Sequence, residues 1–483
     1  MSFLSILVLI ICSCQMPSEE LPSDPSNIVQ DALSRTFWAY NYRAGEYYLI
    51  SSDLLVDGRY CKIWVEQKAR VSPATAIYVA KIFDNEIYPK MMETFGVYGD
   101  ITVNGEIIAQ NTMELADWLG DGDGKLAILL LDIQDNYLQG VNQSRTAGYF
   151  SSSDLLAYRA HSNRSDMLYI DTDPEWPGSE ESNKTIAHEM QHLMNFVSSY
   201  LFRRGNNVNE MDTWINEGLS AIAEWVYSEQ HSDDRWVYYN ADPSGLIKNG
   251  NNFFVWGNRT DEHQYAGLDD YATVYLFFHW LRLQSGSNSI FTELIRSKDY
   301  SYGAVTTAAN NVMEGAGYDD WETLLKTWLA ANYINATSGP YGYKNDSFLK
   351  RIKAKTVPEG TLSVQLYPGE AVYSMTRVGF PWPAKGKNIK YFGLINHSPW
   401  VDDKKTYSGG ALLTFNTSTD VYGNLEDGKT SGIASNIDTT LYEQRIRALL
   451  SMRTVIDSGS ALQRHDEPDP AMTRPAIGII KLE

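Results

Sequence analysis

Thr185-Ile186-Ala187-His188-Glu189-Met190-Gln191-His192-Leu193-Met194-Asn195-Phe196 contains a His-Glu-x-x-His sequence. Side chains four apart on a helix lie one above the other. His188 and His192 can therefore offer two imidazoles to one metal ion, with Glu189 close enough to hold a water beside it. Ile186, Met190, Leu193, Met194 and Val197 recur at helical spacing, so the stretch reads as an amphipathic, half-buried helix. Ser182 or Asn183 can cap its start.

A catalytic zinc takes a third protein ligand and keeps one position open. An extended His-Glu-x-x-His-x-x-Gly-x-x-His motif would need Gly at 195 and His at 198, where this chain has Asn195 and Ser198. A His elsewhere is one alternative, and His231 is the nearest downstream. A Glu on the next helix is the other. Glu217 follows His192 with 24 residues between them. It sits in a helix-periodic segment, Trp214-Ile215-Asn216-Glu217-Gly218-Leu219-Ser220, for which Asp212 can act as N-cap. Apolar neighbours surround Glu217, and an acid without a role is costly to bury among them. Glu224, two turns further on, reads equally well as a surface group or as support for a ligand.

Around this core, the 483 residues allow two or three domains. A formal net charge of −20 disfavours binding to nucleic acid or to an anionic membrane by charge alone. Phe37 to Glu66 reads as two or three strands, and Pro73 to Phe95 as a helix with Pro73 in its first turn. Leu126 to Leu131 reads as a buried strand. Gly148-Tyr149-Phe150 reads as a loop, and Met167 to Asp171 as the strand just ahead of the metal helix. In many zinc peptidases the strand beside such a helix takes the substrate by β-augmentation, and here the order in the chain alone suggests it. Tyr271–Leu283 and Trp321–Tyr333 are helical in period. From about Thr356, short runs such as Leu362–Leu366 and Ala411–Phe415 suggest a small all-β region.

Gly120-Asp121-Gly122-Asp123-Gly124 reads as a tight turn before the strand. As an EF-hand-type calcium loop it fails, because Leu119 stands where the first acid belongs, so Ca²⁺ is a minor alternative. Leu4 to Ile11 and Ile11-Cys12-Ser13-Cys14 form a signal-like apolar run ending in a sequence similar to a bacterial lipobox. The expectation is export, with Cys14 acylated. A plain cleaved signal is the alternative, and Met1-Ser2-Phe3 lacks the usual basic residue. Residues 15–30 read as a disordered tether. Cys61 would then be the one thiol left, in a strand-like run that makes it a core residue rather than a nucleophile.

Ala187–Leu193 together with Trp214–Ser220 resembles the gluzincin zinc peptidases, and most of all the hyicolysin-like bacterial neutral metallopeptidases. The resemblance covers about residues 40–335. Cys61–Val65, the Gly-Asp-Gly turn and Tyr271–Phe277 also fit that family. It implies an α+β, zincin-like domain over residues 31–350: a mixed sheet, the active-site helix, then a helical subdomain. Residues 351–483 would form a C-terminal β domain, and residues 1–14 the signal. It implies one Zn²⁺ held by His188, His192 and Glu217, with Glu189 as general base and protein or peptide substrates. Tyr271, Tyr275 and His279, on one face of a predicted helix, are candidate oxyanion donors. The thermolysin branch carries an Asp four residues after the ligand Glu, where this chain has Ala221, so support for a ligand His must come from elsewhere. The aminopeptidase Gly-x-Met-Glu-Asn segment is absent, which favours endopeptidase action. The competing expectation is a surface lipoprotein adhesin on the same scaffold, with zinc structural or lost. Membrane contact would be through the N-terminal lipid alone.

Overall fold

The structure, a computed structural model, describes residues 33–139, 145–203, 209–243, 245–250, 253–256, 267–313, 317–358, 363–376, 387–395, 398–400, 410–421, 426–429 and 480–482. The signal-like segment, Cys14 and the tether lie outside these residues, as do residues 431–479 of the C-terminal region.

The described chain is α+β. Strands β1 (Ser34–Asn41), β2 (Glu46–Asp57) and β3 (Cys61–Glu66) form an antiparallel meander. Helices α1 (Pro73–Ile82) and α2 (Tyr88–Phe95) follow, joined through one π-helical turn at Phe83–Ile87. Pro73 occupies the first turn of α1, and Ser72 caps it by accepting from the Thr75 amide at 3.1 Å. Next come β4 (Tyr98–Val103), β5 (Glu106–Asn111), α3 (Thr112–Leu119), β6 (Leu126–Leu131), β7 (Gly148–Phe150) and β8 (Met167–Asp171). The main sheet has the order β1-β2-β3-β6-β8-β7. β6 runs parallel to both β3 and β8, and β7 pairs antiparallel with β8 at the edge.

The run Leu126–Leu131 is apolar throughout because both faces of β6 are covered. Leu126, Ile128 and Leu130 join the main core under the helices, and Ala127, Leu129 and Leu131 join a second cluster with Phe37, Trp64 and Tyr169. Cys61 lies in the main core with its thiol pKa pushed well up, chiefly by burial and then by Asp84.

The helical part comprises α4 (Glu180–Phe202), α5 (Thr213–Ser228), α6 (Asp233–Ala241), α7 (Gly267–Ser285), α8 (Ser289–Ile295), α9 (Tyr302–Val312) and α10 (Trp321–Ile334). Short strands follow: β9 (Thr356–Val357), β10 (Ser363–Leu366), β11 (Ala371–Thr376), β12 (Ile389–Ile395), β13 (Ser398–Trp400), β14 (Gly410–Asn416), β15 (Glu426–Lys429) and β16 (Ile480–Leu482). Five of them form a sheet of order β13-β12-β14-β11-β9, and β16 returns to pair with β4. One face of the five-stranded sheet joins the main core, and on its other face Val357, Val372 and Ile389 form a small cluster with Leu366. Tyr373, Phe392 and Leu413 belong to the main core, and the Tyr373 hydroxyl donates to the Leu329 carbonyl of α10 at 2.8 Å.

Three local expectations change. α4 begins at Glu180, and its cap is Ser179, which accepts from the Ser182 amide at 3.1 Å, so Ser182 and Asn183 already lie inside the helix. α4 is buried on all sides from Ser182 to Tyr200 rather than half-buried, since the sheet covers one side and α5 another. Gly148–Phe150 is a strand, not a loop. β8 is therefore an inner strand, and β7 is the sheet edge beside α4. Gly148 permits that approach, because a Cβ there would stand 2.7 Å from Thr185 Cγ2, one turn before His188.

Candidate metal centre

α4 and α5 pack side by side, and the chemistry lies between them. The two helices are tied beside the site by Asn195, whose Nδ2 donates to Asn216 Oδ1 at 2.7 Å. Asn195 is one of the two residues that rule out the extended motif, and here it acts as a cross-strut. α7 covers α5 from the other side at Gly218. A Cβ at that position would come within 2.4 Å of the Phe278 ring and 2.9 Å of Val274, so only glycine allows the approach.

His188, His192 and Glu217 converge, with one donor atom from each lying within 4.8 Å of the others. Glu217 Oε2 is 3.5 Å from His188 Nε2 and 3.7 Å from His192 Nε2. Tetrahedral zinc with bonds of about 2.0–2.1 Å separates its donors by about 3.4 Å, so the spacing suits that ion. The hydrogen bonds on the far side of each ring agree. His188 Nδ1 meets Glu224 Oε1 at 2.8 Å. His192 Nδ1 lies 3.1 Å from Ser220 Oγ, which itself donates to Gln191 Oε1 at 2.6 Å. Ser220 therefore accepts from His192, and Nδ1 carries the proton in both rings. That tautomer turns the Nε2 lone pairs toward the common point.

Charge supports the same conclusion. Glu189, Glu217 and Glu224 are each no more than 5% exposed. Arg235, 1% exposed, has Nη2 3.9 Å from Glu224 Oε1 and its guanidinium 4.9 Å from the centre of the Tyr271 ring. Three buried carboxylates beside one guanidinium leave an excess of negative charge that a divalent cation neutralises. Burial disfavours a charged His188, yet hydrogen bonds to Glu217 and Glu224 outweigh it and push the pKa up to about 10. The pocket draws positive charge to the position where the donors converge.

No protein-family model matches the chain. Neutral metalloprotease ShpI of Staphylococcus hyicus is 30% identical to it over 359 residues, which span 71% of this chain and 74% of that protein. The chain belongs to this family of bacterial neutral zinc metallopeptidases.

Within this metallopeptidase, the three candidate oxyanion donors on α7 separate. The Tyr271 hydroxyl donates to Glu217 Oε2 at 3.0 Å. Burial first, then the charge of Glu217, holds its phenol well above the ordinary pKa, so it remains a donor at neutral pH. Tyr275 and His279 lie further along. The Tyr275 hydroxyl is 2.6 Å from His231 Nδ1, and His279 Nδ1 accepts from Arg282 at 3.3 Å. His231, the alternative third ligand, has its other nitrogen 3.2 Å from Asp346 Oδ2 and stands outside the converging group.

Glu224, Ser220 and Arg235 are contributions that sequence reasoning left open or missed. The spacing did carry one signal: Glu224 is seven residues after Glu217 and so returns to the same helix face. It gives the His188 ring the hydrogen-bonded support that Ala221 cannot. Glu224→Ala is expected to weaken zinc binding about 10–100-fold, and Glu224→Gln, which keeps an acceptor for Nδ1–H, to lose less. Competition with a chromogenic zinc chelator measures both. Equal affinity in Glu224→Ala and the parent would remove Glu224 from the metal centre.

Proposed function

We propose that this chain is a zinc-dependent endopeptidase that hydrolyses peptide bonds in proteins. His188, His192 and Glu217 would hold the metal, and Glu189 would be the general base. The observation that carries the reading is the convergence of two oriented imidazoles and one carboxylate beside a second buried carboxylate on the same helix turn. Membership of a neutral zinc metallopeptidase family agrees with it.

Zinc, when bound, supplies a Lewis acid and brings the pKa of a coordinated water toward about 7. The protein supplies the proton path and the geometry. Glu189 accepts the proton of the attacking water and returns it to the leaving amine, so the carboxylate ends the cycle as it began. Glu224 and Ser220 hold the two imidazoles in orientation throughout. Tyr271 would donate to the oxygen on which negative charge develops, its hydroxyl turning from Glu217 to do so.

Stripping zinc from the purified chain is expected to stop casein cleavage, and adding zinc back to restore it. His192→Ala is expected to lose stoichiometric zinc, as read by elemental analysis. Undiminished cleavage by the stripped protein, or one zinc per chain in His192→Ala, would overturn the proposal.

A further inference from the structure

A second group of acids lies apart from the zinc pocket, where the turn ahead of β6 meets the start of β8. Asp117 stands on α3, Asp121 in the glycine-rich turn, and Asp166 directly before β8. Donor atoms of the three lie within 4.8 Å of one another. Clustered acids alone say little, since exposed carboxylates gather without a ligand. Asp166 is different. It is 1% exposed, and its Oδ1 is buried with no hydrogen-bond partner. That oxygen faces the turn, because a Cβ on Gly120 would stand 3.1 Å from it. A cation would satisfy it.

The surroundings are built to hold the acids in place. The turn is anchored to α3 by two bonds: Gly122 N donates to the Asp117 carbonyl at 3.0 Å, and Gly124 N to Asp117 Oδ1 at 2.7 Å. The Asp166 carbonyl accepts from Ala127 N at 2.9 Å, which joins the start of β8 to β6. Asp123 is engaged elsewhere, with Oδ2 on Lys62 and Oδ1 on the Lys125 amide at 3.1 Å. Arg35 Nη1, 3.4 Å from Asp121 Oδ2, offsets one of the three charges.

We propose that Asp117, Asp121 and Asp166 form a calcium site that ties α3 and the turn before β6 to the start of β8. An all-carboxylate donor set selects a hard cation over zinc. The exposed turn, with Gly122 at φ +70° and Gly124 at φ +82°, can adapt to irregular coordination and leave room for water. Those features suit Ca²⁺ better than octahedral Mg²⁺. The site is not the EF-hand-type reading of Gly120–Gly124. It uses one acid of that loop and takes the other two from α3 and from a residue 45 positions downstream of Asp121.

The test uses the full chain loaded with zinc and freed of calcium. Isothermal titration with CaCl₂ is expected to show one saturable site, with a dissociation constant on the order of 10⁻⁵–10⁻³ M. Millimolar CaCl₂ is expected to raise the thermal midpoint by several degrees. Asp166→Asn should abolish both responses and, having lost a buried charge, be at least as stable as the calcium-free parent. Should Asp166→Asn fail to fold, Asp121→Asn on the exposed turn carries the test, with calcium affinity expected to fall at least tenfold. His192→Ala should keep the calcium response, which separates this site from the zinc pocket. No binding heat in the parent, or parent-like calcium titration in Asp121→Asn and any folded Asp166→Asn, overturns the proposal.

Discussion

Glu189→Gln is expected to lower kcat for a peptide substrate about 10²–10⁴-fold while zinc stays bound at one per chain. Gln matches Glu in volume and can still hydrogen-bond, but it cannot take a proton from water. The substitution also removes one of the three carboxylates buried around the site, so it relieves charge rather than adding it. The fold should survive unchanged. The measurement pairs kcat on a fluorogenic peptide with zinc content and the thermal midpoint of the same preparation. Retained zinc with lost turnover assigns Glu189 to the proton transfer. Parent-like turnover would place the base elsewhere, and lost zinc would mean that Glu189 holds the metal itself. An adhesin on this scaffold has no need of a carboxylate at 189, and its binding would be indifferent to the change.

Glu189 and its two flanking histidines were readable because one helix turn fixes their relation. His188 and His192 four apart leave little freedom, and the apolar stripe of α4 confirms the helix. Glu217 was also readable, since an acid among Trp214, Ile215, Leu219 and Ile222 calls for a partner. β6 stood out because a strand buried on both faces must be continuously apolar. What the chain order could not disclose was lateral. The partner of each imidazole's Nδ1 depends on how α5 is rotated against α4. Gly218 in turn sets how closely α7 approaches α5. Neither is a periodicity. The strand at 148–150 escaped for a related reason: three residues carry no alternation to read, and β8 creates the strand by pairing with it. Asp166 escaped because its companions lie 45 and 49 residues upstream, brought together only by the parallel pairing of β6 with β8.

Trp214→Ala should cost about 3–5 kcal/mol of stability, the range for deleting a buried aromatic side chain. Trp214 is 0% exposed, and its ring meets Phe254 at 5.0 Å, Phe253 at 5.5 Å, Phe277 at 6.0 Å and Trp321 at 6.1 Å between centroids. These neighbours come from α7, α10 and the segment between α6 and α7, so no single element can shift to fill the space. Trp214 also lies one turn before Glu217 on α5. Relaxation of α5 into the cavity would displace that carboxylate, and a misplacement of about 1 Å costs on the order of 10²-fold in rate. Trp328 provides the control. It is equally buried and packs on Phe253 and Phe277 at 5.1 and 5.2 Å, but it stands on α10. Both Trp→Ala variants should lower the thermal midpoint by several degrees. Well below their midpoints, Trp214→Ala alone should also lose kcat and zinc affinity. Equal losses of activity in the two variants would mean that the aromatic core supports the site only through global stability, and that α5 is not the element Trp214 holds in register.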